Sequence, residues 1–398
     1  MSERSVWTAL VGQDHVVAEL AGAIDGAMTH AWLFTGPPGS GRSVAAKAFA
    51  AALQCESGGC GACATCHTVL AGTHPDVTVV STELLSIGVR ETRELVRRAA
   101  LSPAMGRWQV IVLEDADRLT EQAANVLLKA IEEPPARTVW LLCAPASEDA
   151  LPTIRSRCRQ VRLVTPTPDA VTRLLIERDQ VPQDVAVFAA HASQGHIGRA
   201  RRLATDERAR QRRAAVLALP HQLTDVGDCL RAAAEVTEAA ATEGKQATSE
   251  LDVAEMDSLK VALGAGSGAG SGSAKLASGT AAAVKDLEDR QKRRAKRLQR
   301  DALDRALLDL AAYYRDVLAI QLGADVDLIN PGSRDRLAEL AGSSTREATL
   351  RRIEAVMACR EALDANAHPL LATEAMMLSI RSAGRGDGGR LASQGRSS

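Results

Sequence analysis

Between an apolar run and an alanine-rich one, the chain places Gly36-Pro37-Pro38-Gly39-Ser40-Gly41-Arg42-Ser43. Gly36, Gly39 and Gly41 reach backbone conformations that other residues avoid, so the chain can turn tightly there. Upstream, Ala31-Trp32-Leu33-Phe34 reads as a short buried strand; downstream, Val44-Ala45-Ala46-Lys47-Ala48-Phe49 reads as a helix. In that order, strand, glycine turn and helix aim backbone N–H groups and a positive helix end at one point, which suits phosphate oxygens. Gly36, Gly39, Ser40, Gly41, Arg42 and Ser43 are therefore candidate nucleotide-binding residues. The bland alternative is a glycine-rich strand–helix turn with no ligand. Arg42 stands where such loops carry a lysine, and its wide planar fork is no conservative replacement for a compact ammonium.

The first 165 residues alternate helical patterns with short apolar runs at Trp32–Thr35, Val77–Val80, Val110–Leu113, Val139–Leu142 and Val161–Leu163. Unbroken apolar strands, separated by helices such as Gly88–Leu101 and Glu121–Ile131, predict an α/β fold. Its parallel sheet is covered on both faces and would hold ligand at the carboxyl ends of its strands. From Thr167 the strand signal stops. Pro168–Arg178, Gln183–Ala192 and Ile197–Leu203 predict a small helical domain. Good helix formers continue through Arg300–Leu322, Ser344–Asn366 and Pro369–Arg381. Domains are expected at 1–165, 166–206 and 207–382, with residues 383–398 a disordered Gly/Ser/Arg tail. Gly264–Gly279 has linker composition, so about 240–298 is expected as a flexible insertion between two helices of the last domain. The basic run Arg290–Arg297 reads first as a solvated helical face. The sharper alternative is a nucleic-acid contact, though no aromatic side chains accompany it to stack on bases.

A length of 398 residues suits two or three domains, and a net charge of -1 argues neither for nor against nucleic acid. Met1-Ser2-Glu3-Arg4 lacks a hydrophobic signal core and no apolar run is long enough to cross a bilayer. The expectation is a cytoplasmic chain with no membrane partner.

Of eight cysteines, Cys55, Cys60, Cys63 and Cys66 fall within twelve residues. In a cytoplasmic chain such a cluster points to metal rather than to disulfides. Four thiolates are what a tetrahedral structural zinc takes, and Gly58, Gly59 and Gly61 permit the turns between close ligands. The Cys-x2-Cys-x2-Cys spacing also begins an iron–sulfur pattern, but no fourth cysteine follows at the expected place. Unligated thiols are the third option.

Hydrolysis at a phosphate loop needs acidic residues on a neighbouring strand to hold magnesium and orient water. Glu114-Asp115 closes the run Val110–Leu113, in the reverse of the usual order. Asp115 would fall roughly 1 Å short of a water placed for glutamate, a misplacement costing about a hundredfold. The pair could also merely face solvent. The run Val139–Cys143 continues into Ala144-Pro145-Ala146, with no hydroxyl or amide before Ser147. Arg42, the reversed pair and the apolar strand end together argue against efficient hydrolysis. Arg157 in Ser156-Arg157-Cys158, and Arg199 in Gly195-His196-Ile197-Gly198-Arg199, read unaided as surface arginines.

Together these motifs resemble the AAA+ subunits of bacterial sliding-clamp loaders, part of the DNA polymerase III holoenzyme. The resemblance is carried by Val11-Gly12-Gln13, His30-Ala31, the glycine loop, the four cysteines, the block Ala124–Pro135 and Ser156-Arg157-Cys158, over about residues 6–205. The helical remainder matches a collar domain only in general shape. The resemblance implies an AAA+ P-loop domain over 1–165 with a zinc module at 55–66. A helical lid over 166–206 and an all-α collar, or oligomerisation domain, would follow. In this family the motor subunits, gamma/tau, keep a lysine loop and an Asp-Glu pair, whereas a stator kind keeps Ser-Arg-Cys beside a decayed site. The chain looks like the stator kind. That implies a hetero-pentamer with gamma/tau and delta, acting on the sliding clamp and on primer-template DNA. It also implies ATP or ADP bound without hydrolysis, Arg157 as an arginine finger acting in trans, and Arg199 at the position that senses nucleotide. Two alternatives stay open: a self-sufficient ATPase motor with Arg42 in the lysine's place, and a zinc-bearing scaffold that binds no nucleotide. The stretch Thr224–Arg300 is not part of the family pattern.

Overall fold

The apolar runs become one sheet of five parallel strands in the order β2-β3-β4-β1-β5. These are β1 (Ala31–Thr35), β2 (Val77–Val80), β3 (Gln109–Leu113), β4 (Thr138–Ala144) and β5 (Arg159–Arg162). The protein is described from a computed structural model, over residues 5–26, 28–82, 86–262 and 278–385. Side chains alternate across the sheet because successive strand residues point to opposite faces. Trp32, Phe34, Val110, Val112, Leu141 and Cys143 pack under α1 (Asp14–Asp25), α2 (Arg42–Gln54) and α3 (Ala64–Leu70). Leu33, Ile111, Leu113, Trp140 and Leu142 pack under α4 (Val89–Ala99), α5 (Glu121–Glu132) and α6 (Pro152–Arg155). Every residue of β1 and β4 is buried, which is why those runs read as unbroken apolar sequence.

Three short helices follow the sheet: α7 (Pro168–Glu177), α8 (Gln183–Ser193) and α9 (Ile197–Thr205). They belong with the sheet to one compact unit that ends at Asp206. Thr167 caps α7 through its side chain, with Pro168 at the first helical position, a common helix start.

A second unit begins at Glu207 and is all helical in its described residues. It comprises α10 (Glu207–Ala218), α11 (Val226–Ala262), α12 (Ser278–Leu322), α13 (Arg334–Ser343), α14 (Arg346–Asp364) and α15 (Pro369–Arg385). Its core gathers Leu303, Leu307, Leu310, Tyr313, Tyr314, Val317, Leu337, Val356, Met376, Met377 and Ile380. Asp316 is fully buried and accepts from the Ile329 N–H, the Asn330 N–H and the Asn330 side chain. Arg213 and Asp309 form a buried ion pair at 2.8 Å.

The structure departs from the sequence reading in this unit. Most of the stretch expected as a flexible insertion, about 240–298, is instead the paired halves of α11 and α12. Arg294 bridges to Asp252 at 2.5 Å and Glu255 at 2.7 Å, and Gln291 donates to the Asp252 carbonyl. Gly244 lets the helices approach closely, since a Cβ there would lie 2.9 Å from the Ala295 carbonyl oxygen. The glycine linker itself lies almost wholly outside the described residues. Likewise α15 runs to Arg385, past the expected start of the tail, and the rest of the tail is outside the described residues.

Candidate functional site

The glycine loop joins β1 to α2 at the carboxyl edge of the sheet. Gly39 and Gly41 take φ of 87° and 94°, where a side chain would be strained. The Gly36 N–H donates to the Pro145 carbonyl, tying the loop to the end of β4. Gln13 is buried and secures the other side: its amide donates to the carbonyls of Ser40 and Val164 and accepts from the Val164 N–H.

Two of the protein's own side chains lie against the loop. The Arg42 guanidinium turns back and donates to the Gly36 carbonyl, at the mouth of its own turn. Burial pushes its pKa down, while nearby Cys143, Asp117 and Asp115 oppose that. From the turn before α9, His196 presses on Gly39 so closely that a Cβ on Gly39 would sit 2.4 Å from the His196 Cα. The same histidine accepts from the Arg199 N–H through Nδ1 and caps α9. Arg199 is therefore beside the loop, buried in the first turn of α9.

The acidic pair has other partners. Glu114 meets Lys47 of α2 at 2.8 Å. Asp115 accepts from the Thr82 N–H at 3.0 Å and lies 3.8 Å from Arg118. At the end of β4, burial pushes the Cys143 thiol up to about 12, and Ser147 donates to Glu148. The structure thus gathers Gly36, Gly39, Ser40, Gly41, Arg42, Ser43, Glu114 and Arg199 at one edge. Arg42, Glu114 and Asp115 there each face another group of the chain, whereas the buried Ser40 Oγ has no hydrogen-bond partner among the described residues.

Lys47, His196 and Gln13 are the residues that sequence reasoning did not assign to this edge. Lys47 stands five residues after Arg42 on a helix starting at the loop. That spacing could have flagged it as a second cation near the acidic pair.

Cys55 ends α2, Cys63 caps α3 and Cys66 lies within it, with Cys60 on the turn between. All four sulfur atoms lie within 4.8 Å of one another. Cys55 Sγ is 3.7 Å from Cys60 Sγ and 3.8 Å from Cys63 Sγ. Zn–S bonds of about 2.3 Å at tetrahedral angles put sulfurs roughly 3.8 Å apart, so the cluster fits that ion. Gly58, Gly59 and Gly61 all take positive φ, as the tight turn requires. Burial raises the Cys55 thiol, but N–H groups of Cys60, Gly59 and Ser57 outweigh it and bring it to about 6. Backbone N–H groups of Ala62 and Cys63 also lower Cys60, whereas burial raises Cys66. The set can hold zinc, and the knuckle is pinned to the chain start by the Val6 N–H on the Gly59 carbonyl.

Arg157 lies elsewhere. It follows α6 and precedes β5, so it sits at the amino end of an edge strand, whereas the glycine loop sits at the carboxyl ends. Arg157 lies in the turn before β5, and the four strand residues, roughly 13 Å at the strand rise, stand between that turn and Leu163, whose carbonyl packs on Gly36. Its half-exposed guanidinium pairs with Glu132 at 2.5 Å and donates to the Thr153 carbonyl and to Ser156 Oγ. Glu132 was not singled out from the sequence as a site residue. A separate surface groove of about 690 Å³ runs between α4 and α5, lined by Val89, Arg90, Arg93, Val96, Arg97 and Val126.

Residues 12–167 match the family described as "DNA polymerase III, delta subunit". The chain is 37% identical over 188 residues to the DNA polymerase III subunit gamma/tau of Mycobacterium tuberculosis, spanning 45% of this chain and 32% of that protein. It is 40% identical over 151 residues to the delta' subunit of Pseudomonas aeruginosa, 36% of this chain and 45% of that one. It is 34% identical over 177 residues to the delta' subunit of Escherichia coli, 43% of this chain and 53% of that one. The chain thus spans about half or less of the length of these relatives. Among the described residues, no helix is long and apolar enough to cross a membrane. Over residues 12–167, the chain is thus similar to the delta' and gamma/tau subunits of bacterial DNA polymerase III.

Proposed function

We propose that the chain is the stator of the loader, the delta' subunit, joining gamma/tau and delta in a hetero-pentamer that places the sliding clamp on primed DNA. The observation that carries this reading is the separation of Arg157 from the chain's own glycine loop. An arginine at the amino end of an edge strand cannot serve a phosphate held at the carboxyl ends, but it can enter a neighbouring subunit's site. In that role Arg157 exchanges Glu132 and the Thr153 carbonyl for the neighbour's γ-phosphate and takes up charge in the transition state. Such arginines are worth on the order of 10³–10⁵ in rate. The exposed pair with Glu132 is weak enough to give up, worth roughly 0–1 kcal/mol.

In the same reading, the chain's own loop is architecture. Arg42, His196 and Lys47 hold the positions that nucleotide and magnesium would need, so the subunit carries ATP or ADP weakly and without hydrolysis. The cysteine cluster holds zinc in a structural role, residues 166–206 serve as the lid, and the C-terminal helical unit serves as the collar. The test is the DNA-stimulated ATPase of the reconstituted loader. Arg157→Ala should fold and assemble as the parent does, yet lower turnover at least tenfold; unchanged turnover in an assembled complex would sink the role.

The similarity to gamma/tau at 37% identity supports a second reading, a self-sufficient motor in which Arg42 does the lysine's work. Steady ATP hydrolysis by the isolated chain, abolished by Arg42→Ala, would favour it. Calorimetry with ATP and with a non-hydrolysable analogue separates both readings from a zinc scaffold that binds no nucleotide.

A further inference from the structure

Helices α11 and α12 form an antiparallel arm with a definite register. Glu243 pairs with Arg305, Gly244 faces Ala295 and Gln299, and Asp252 and Glu255 meet Arg294. The hydrogen bond from Arg294 holds the Glu255 carboxyl below the usual range. The acids of α11 at these positions are thus engaged inside the seam.

The opposite side of α12 is cationic. Lys292, Arg293 and Lys296 are exposed, flanked by exposed Lys285 and Arg290. At 3.6 residues per turn the first three fall within about 100° of one another, turned away from buried Leu287 and Arg294. Six of the eight residues from Arg290 to Arg297 are Lys or Arg, in a chain whose net charge is only -1, so the charge is concentrated here. Among the described residues, Lys292 pairs with Asp289 at 3.8 Å, and no ion pair engages Arg290, Arg293 or Lys296.

We propose that this face of α12 docks the phosphate backbone of duplex DNA without regard to sequence. No Phe, Trp or Tyr occurs from Val226 to Ala312, so the arm has no ring on which an unpaired base could stack. A single strand would therefore lose the stacking that such binding relies on. What remains is charge, and a duplex offers the denser phosphate array. An acidic protein partner would call for an apolar anchor amid the cations. Among the described residues, the large apolar side chains exposed on these two helices are Val226, Leu230, Leu251 and Val253 of α11 and Leu322 at the far end of α12, none of them in the run Arg290–Arg297.

The test is fluorescence anisotropy of the full-length chain with a labelled duplex of arbitrary sequence, across a potassium chloride series and without nucleotide. Reversing the charge with Lys292→Glu, Arg293→Glu and Lys296→Glu together should weaken binding about tenfold or more at low salt. It should also flatten the slope of log affinity against log salt by about 2–3, since each lost phosphate contact removes about 0.9. Circular dichroism should show the helices intact, and Lys292→Arg with Lys296→Arg should bind as the parent does. The proposal is overturned if the triple variant keeps the parent's affinity and slope, as it would were the groove between α4 and α5 the only DNA contact. Absence of salt-dependent duplex binding by the parent chain would also overturn it. The readout uses the isolated chain, so it is independent of whether Arg157 acts in trans.

Discussion

Asp76 is a buried carboxylate that accepts backbone N–H groups from Ala104 at 2.6 Å, Met105 at 2.8 Å and Gly106 at 2.5 Å. Burial alone would raise its pKa, but the three N–H groups and His74 together hold it below the usual aspartate range. A depressed native pKa means the stabilisation is complete above the unfolded value near 3.9 and fades as pH falls through the native one. Asp76→Ala should cost about 2–4 kcal/mol at neutral pH. In urea titrations the gap between parent and variant should narrow below about pH 4; a pH-independent gap would refute the assignment. A residue-scale expectation also attaches to Arg42. Because His196 still presses on Gly39 when Arg42 is shortened, Arg42→Lys should not restore ATP turnover to the isolated chain. Turnover in that variant would show that the arginine alone silences the loop.

Among the elements, β1, β3 and β4 were legible because buried parallel strands must be apolar almost from end to end, whereas the edge strand β5 buries only Val161; the strand edges moved by one or two residues. The glycine loop and the cysteine spacing were legible for a similar reason: each demands particular residue types at fixed intervals. The arm was not. Its seam is built from Ala240, Gly244, Thr248 and the Arg294 ion pairs, so small and charged residues stand where an apolar stripe would have announced a packed helix. The closure of the loop was equally hidden, because it depends on a side-chain turn at Arg42 and on His196 arriving from more than 150 positions along the chain. For the cysteine module, a strong chelator should release about one zinc per chain. The half-buried Cys60 and Cys63 thiols should then become reactive while the far-ultraviolet spectrum of the sheet persists. Metal analysis finding no zinc in the protein as purified from a zinc-supplemented culture would reject the assignment.

The molecule as a whole has two cores of different colour. Trp7, Trp32, Trp108 and Trp140, all four tryptophans of the chain, lie in the unit ending at Asp206, and both tyrosines, Tyr313 and Tyr314, lie in the helical unit. Tryptophan emission therefore reports on the sheet unit, whereas helical circular dichroism is weighted toward the C-terminal helices. If each unit unfolds as its own cooperative block, the two signals should give different urea midpoints. Superimposable curves would mean that the units unfold as one. A second consequence concerns synthesis. Ala31 pairs with Trp140 and Trp32 with Arg159, so β1 receives both neighbours more than a hundred residues after it is made. At ~5–20 residues per second, translation leaves Trp32, Leu33 and Phe34 without partner strands for on the order of ten seconds. A strand wholly buried in the finished protein is then the nascent chain's longest-standing adhesive surface, and a ribosome stalled anywhere before Trp140 would present it to whatever chaperone waits at the exit.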